Sequence, residues 1–122
     1  MMHILLVDDD SNFRRSLLIQ LELEGYQVTE AENANQAFSF LKKCQGKGKF
    51  PDIVITDVRM PEIPGSEFVM KLQKEFPSLL VLVISAFGLP DELMGYPFLK
   101  KPFKIQQMMS IMDKSLHDSS ML

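Results

Sequence analysis

The chain is poor in cysteine, in clustered basic charge and in long apolar stretches, and each shortage removes a class of function. Its one cysteine, Cys44, has no partner for an internal disulfide. The N-terminus lacks both the cationic region and the long apolar stretch of a signal peptide or a membrane span. A reducing, cytoplasmic setting without membrane contact is therefore expected. Lys and Arg number 13 against 16 Asp and Glu, a formal net charge of -3. With no basic run there is no surface to displace counterions from a phosphate backbone, so direct nucleic-acid binding is not expected. Seven prolines and six glycines are scattered instead of concentrated, which argues against a linker, a low-complexity tract or an internal repeat. What remains is 122 residues, 46% of them hydrophobic, enough for one domain over 1–122 with a single function.

Apolar runs alternate with helical periodicity along this length. His3 to Val7 is too short and too uniformly apolar for anything but a strand buried on both faces, and Asp8-Asp9-Asp10 stops it. Phe13, Leu17, Leu18 and Leu21 recur at helical spacing, which predicts a helix from Ser11 to about Glu24 ended by Gly25. Val28 to Ala31 reads as a short strand. Asn33 is placed to cap a helix with Ala34, Ala37, Phe38 and Leu41 inward, followed by a loop over Gln45 to Lys49. A second buried strand, Ile53 to Ile55, runs into Asp57. Ser66 is expected to cap a helix burying Val69, Leu72 and Phe76. Leu79 to Ile84 is the most apolar strand, Phe98 and Leu99 predict a short fifth, and Ile105, Met108, Met109, Met112 and Leu116 line a final helix reaching about residue 117 before a short tail. The fold class is α/β: alternation at this length needs right-handed crossovers and a parallel sheet covered on both faces.

In such sheets ligands gather at the carboxyl ends of the strands. Those ends carry Asp8 with Asp9, Asp57, Ser85 and Lys101. Three carboxylates within about 5 Å would repel by roughly 3 kcal/mol per pair at an effective dielectric of 20, so a cation is expected among them. Magnesium suits oxygen donors and keeps several waters, with Asp9 and Asp57 holding it and Asp8 reaching it through water. A carboxylate can also act as a nucleophile and carry phosphate as an acyl phosphate, and Asp57 is best placed to do so. Lys101 would neutralise phosphoryl oxygens as a point charge, and the Ser85 hydroxyl would donate to one of them. Asp10 has a plainer use as the cap of the first helix, as has Ser11.

Val7-Asp8-Asp9, Asp57-Val58-Arg59-Met60-Pro61 with Gly65, Ser85-Ala86 and Lys101-Pro102-Phe103 together resemble the receiver domain of two-component response regulators, over His3 to His117. The resemblance implies a flavodoxin-like, doubly wound sheet of five parallel strands in the order 2-1-3-4-5. It implies transfer of a phosphoryl group from a sensor histidine kinase to Asp57, with Mg2+ held by Asp9, Asp57 and the Arg59 backbone carbonyl and assisted by Asp8. Ser85 and Phe98 would act as the switch pair. The reshaped surface would be read by a downstream protein, in a phosphate relay or otherwise, or by an output domain that follows in the same chain. No enzymatic turnover is implied beyond self-catalysed phosphorylation and slow self-dephosphorylation, because the bulky Arg59 and Phe87 stand where this family admits the hydrolytic water.

One departure from the family stands out. Only fifteen residues separate Ser85 from Lys101, and Gly88, Pro90, Gly95 and Pro97 interrupt them. The helix between the fourth and fifth strands is therefore expected to be stunted or missing, with about one turn, roughly 6 Å, over Asp91 to Met94. That puts the usual signalling face and its dimer in question. Three rivals are weaker. A haloacid-dehalogenase-like phosphatase would use Asp8 and Asp10 but leaves Asp57 idle and wants a longer chain. A phosphorylation-independent pseudo-receiver keeps the fold and discards intact acids. A flavin-nucleotide binder would bring phosphate against three acids.

Overall fold

The computed structural model describes residues 2–59 and 63–120, the side chains of 118–120 excepted. Five strands, β1 (His3–Val7), β2 (Gln27–Ala31), β3 (Ile53–Asp57), β4 (Leu80–Ser85) and β5 (Phe98–Lys100), form one parallel sheet in the order β2-β1-β3-β4-β5. Four helices complete it: α1 (Ser11–Leu23), α2 (Ala34–Lys47), α3 (Gly65–Glu75) and α4 (Ile105–Ser120).

Strand residues alternate between faces, and here both faces are apolar. Leu5, Val7, Val54, Val81 and Val83 pack with Ala37, Leu41, Phe68 and Leu72 of α2 and α3. Ile4, Leu6, Ile53, Ile55, Leu82 and Ile84 pack with Leu17 and Leu21 of α1 and Met108 and Met112 of α4. Each uniformly apolar run is thus two interleaved half-sites, one for each helical layer. The chain runs outward from β1 to β2 and then returns past β1 to β3, so the β1 and β3 ends lie side by side as Leu6↔Ile55 and Val7↔Thr56. Asp8 and Asp57 follow directly from that register.

Helix ends follow local chemistry. Asp10 caps α1, its side chain accepting from the Phe13 amide at 3.1 Å, and Asn33 caps α2 from Gln36 at 2.8 Å. Three helix ends differ from the sequence expectation, and the first is that of α4, which runs to Ser120 instead of about residue 117. Helix α2 continues through Gln45 to Lys47, because Cys44 is buried and Gly48 turns the chain at φ 70 only after a further turn. Helix α3 starts at Gly65 after Pro64, with no side-chain cap from Ser66. Gly65 is required there: a Cβ would lie 2.2 Å from Val58 Cα and Val58 O.

The stunted helix is confirmed. Between β4 and β5 there is a single 3-10 turn, Asp91–Leu93, in place of an α-helical turn to Met94. Leu93 is fully buried in the α2/α3 layer, with Leu89 and Tyr96 packed beside it. One leucine and its neighbours thereby cover sheet surface that a longer helix would otherwise close. Among the described residues no helix is long and apolar enough to cross a membrane.

Candidate functional site

The carboxyl ends of β1, β3 and β5 bring Asp8, Asp57 and Lys101 into direct contact. The Lys101 ammonium stands 2.9 Å from Asp8 Oδ2 and 2.5 Å from Asp57 Oδ2. Asp8 is wholly buried and Asp57 nearly so. The remaining carboxylate oxygens are fixed by the backbone: Asp8 Oδ1 accepts from the Asp10 amide at 3.0 Å and Asp57 Oδ1 from the Arg59 amide at 2.8 Å. The base of the lysine is held too, since the Lys101 amide donates to the Ser85 carbonyl at 2.8 Å. Its ammonium also lies 3.9 Å from the Phe13 ring centroid.

Burial pushes the Asp8 carboxyl above its ordinary pKa, and the Asp57 charge adds to this, against the pull of the Lys101 hydrogen bond. Burial would depress Lys101, but its bonds to Asp57 and Asp8 outweigh that and hold it above the ordinary lysine value. The ammonium therefore stays charged, and two carboxylates share one positive charge.

Asp8, Asp9, Asp10, Asp57, Arg59, Phe87 and Lys101 border an open cavity of about 710 Å³. The expected gathering of three carboxylates is corrected to two and an ammonium. Asp9 is exposed at the rim, and among the described residues no three His, Cys, Asp or Glu side chains stand close enough to hold an ion alone. Successive residues leaving a strand point opposite ways, so Asp8 turns inward and Asp9 outward. Asp8 therefore contacts Lys101 directly. The donor set still fits magnesium, which needs only one or two carboxylates and fills its octahedron with waters and phosphoryl oxygens. Asp9, Asp57 and the Arg59 carbonyl are all hard oxygen donors.

Ser85 is fully buried, and its Oγ accepts from the Phe87 amide at 3.0 Å. It borders an adjoining cavity of about 450 Å³ with Val58, Arg59 and Phe87. Phe98 lies apart, half-buried and paired in register with Val83. Met60 and Pro61 of the Asp57 motif lie outside the described residues.

Two contributors, Arg14 and Phe13, were not legible from the sequence. Arg14 is buried in α1, where Nη1 donates to the Asp8 carbonyl at 2.7 Å and Nε to Glu30 of β2 at 2.9 Å. Its position three residues before Leu17 on the inward face was the available signal. Phe13, expected on the apolar face of α1, also flanks the lysine with its ring. The Arg59 guanidinium stacks 4.2 Å from the Phe87 ring centroid, across the cavity rim.

Comparison with known proteins agrees with this geometry. Residues 4–113 match the family described as the response regulator receiver domain. Transcriptional regulatory protein GlrR of Escherichia coli K12 is 32% identical over 97% of this chain, and response regulator Rre1 of Synechocystis 35% identical over 88%. The chain spans 27% and 48% of those proteins respectively. Response regulator protein TrrA from Thermotoga maritima, in complex with Mg(2+)-BeF, superposes with a TM-score of 0.79 at 28% identity, covering 94% of this chain and 99% of that one. A structure of histidine kinase ThkA in complex with TrrA gives 0.80 at 29%, covering 95% and 99%. With its fold, strand order and acid-lysine site in place, this chain belongs to the response regulator receiver domain family of two-component signal transduction.

Proposed function

We propose that this receiver accepts a phosphoryl group on Asp57 from a sensor histidine kinase and passes the event to a partner as a change of surface. The observation that carries the reading is the single Lys101 ammonium shared by Asp8 and Asp57. A carboxylate nucleophile must be held in place, and this pairing does so. An Asp57 oxygen attacks phosphorus, the bond to the donor histidine nitrogen breaks, and the imidazole leaves with that electron pair. Lys101 then has a phosphoryl oxygen to follow, with little reach required beyond its present position.

Magnesium, held by Asp9, Asp57 and the Arg59 carbonyl with Asp8 assisting, would supply charge neutralisation for the transferring group. Ser85 accepts from the Phe87 amide, which leaves its own hydroxyl proton to donate toward a phosphoryl oxygen. That turn of Ser85 loosens its hold on Phe87, and Phe98 on the neighbouring strand responds by moving inward. The surface of β5 and α4 carries the signal, because the short 3-10 segment offers little helical face. Kinase engagement is supported by the ThkA–TrrA complex, and an output domain by the greater length of GlrR and Rre1.

Borohydride reduction of the chain after phosphorylation converts a phospho-aspartate to homoserine, which tandem mass spectrometry locates. Homoserine at position 57 is the expected result. Homoserine at Asp8, Asp9 or Asp10 instead would overturn the assignment.

A further inference from the structure

The opposite end of the same strands carries a second pocket with the reverse charge. Lys43 and Lys47 of α2, one turn apart on the same side, and Lys49 just beyond border a cavity of about 410 Å³. Among the described residues none of the three lysines makes an ion pair. The only carboxylate bordering the cavity among the described residues, Asp52, already accepts from the His3 amide at 2.7 Å. His3 brings no charge near neutral pH, because burial lowers its pKa, against the pull of Asp52. The cavity therefore holds three free ammonium groups against one engaged carboxylate, in a chain whose net charge is -3.

Two aromatic rings border the same space. Phe40 is locked edge-on against His3 at 5.8 Å between centroids, and His3 Nε2 is tied to Thr29 Oγ1 at 2.8 Å. Phe50 leans on Phe76 at 5.7 Å yet leaves 40% of its surface exposed. A partly exposed ring backed by a buried one is a rigid stacking surface. Lysines act as mobile point charges toward a phosphate, whose monoester carries roughly -1.5 to -2 near pH 7. The volume is that of a small-molecule site and too small for a folded segment.

We propose that this pocket binds a phosphorylated small molecule bearing a flat aromatic ring, a mononucleotide by class. The phosphate lies among Lys43, Lys47 and Lys49, and the ring stacks on Phe50. The site lies at the start of β1 and β3, five residues or about 17 Å of strand from the acids that end them. It is independent of the phosphoryl-transfer reading.

The test titrates the whole chain with AMP, and separately with adenosine and with inorganic phosphate, by calorimetry and by amide chemical shifts. AMP is expected to saturate with a Kd at or below about 1 mM, and each fragment to bind at least about tenfold more weakly. Shifts should centre on His3, Phe40 and Cys44. Lys43→Gln with Lys47→Gln, both at exposed surface positions, should cost at least about tenfold in affinity without altering the melting temperature. Phe50→Ala should weaken AMP but leave phosphate unchanged. No saturation by about 10 mM AMP, undiminished affinity in the double variant, phosphate binding as tightly as AMP, or shifts centred on Asp8 and Asp57 would each overturn the proposal.

Discussion

Lys101 and Asp8 are 93 positions apart in sequence, yet their side chains meet at 2.9 Å in a buried pair that also takes in Asp57. Removing the lysine strands two buried acids. Lys101→Ala is expected to lower unfolding free energy by about 2–5 kcal/mol at neutral pH, the range for truncating one partner of a buried charge pair. Added magnesium should recover part of that loss. Asp8→Asn has the opposite sign: one carboxylate then faces one ammonium, and stability should rise by about 1 kcal/mol. Chemical denaturation of the three proteins, with and without magnesium, checks both signs.

Gly65→Ala would force a methyl to within 2.2 Å of Val58 backbone atoms. Backbone on both sides cannot yield as a side-chain tip can, so α3 must shift as a body. A loss of at least about 2 kcal/mol is expected, with the amide resonances of Val58 and Arg59 displaced. A neutral substitution would show that α3 is less closely seated than its contacts indicate.

The buried strands were readable because a parallel strand covered on both sides needs no polar residue, and Ile53 to Ile55 and Leu80 to Ile84 obey that without interruption. The acids and lysine at strand ends were readable for the same reason, since a charge that stops an apolar run marks where the sheet meets solvent. Which of them turn inward was not. Asp8 and Asp9 are the same residue type in adjacent positions, and only the pleat, fixed by the register of β1 on β3, buries one and exposes the other. The extra turn of α2 was hidden by Gly46, a helix-breaking residue overridden by burial of Cys44 and by Gly48 beyond it. Arg14 was not legible as a contributor to the site because its partners, the Asp8 carbonyl and Glu30, come from two other elements.

The Arg59–Phe87 stack lies across the rim of the acid cavity, one residue from each of two strand-end loops. It is expected to impede water reaching the acyl phosphate. Phosphorylated wild-type protein should lose its label over minutes or longer, and the Arg59→Ala, Phe87→Ala double variant several-fold faster. Following intact mass after removal of the phosphodonor checks this. A wild-type lifetime of seconds would contradict it.

His3 gives a pH dependence away from the acids. Burial lowers its pKa in the folded state, against the raising influence of Asp52. The unfolded chain therefore binds more protons just below the ordinary histidine value of about 6.5. Stability is fully present above that value and falls as pH drops from it toward the depressed folded value. Denaturant melts between pH 7.5 and pH 5 should show a steeper decline for wild type than for His3→Gln. Equal slopes would show that His3 does not contribute.

The central claim is that Asp57 takes the phosphoryl group in a site completed by magnesium. Intact mass after incubation with acetyl phosphate, with magnesium and with chelator, for wild type and Asp57→Asn, tests it most directly. The account predicts a gain of one phosphoryl group in wild type with magnesium only, and none in the variant. A gain of equal size in Asp57→Asn, or no gain in wild type at all, would contradict it.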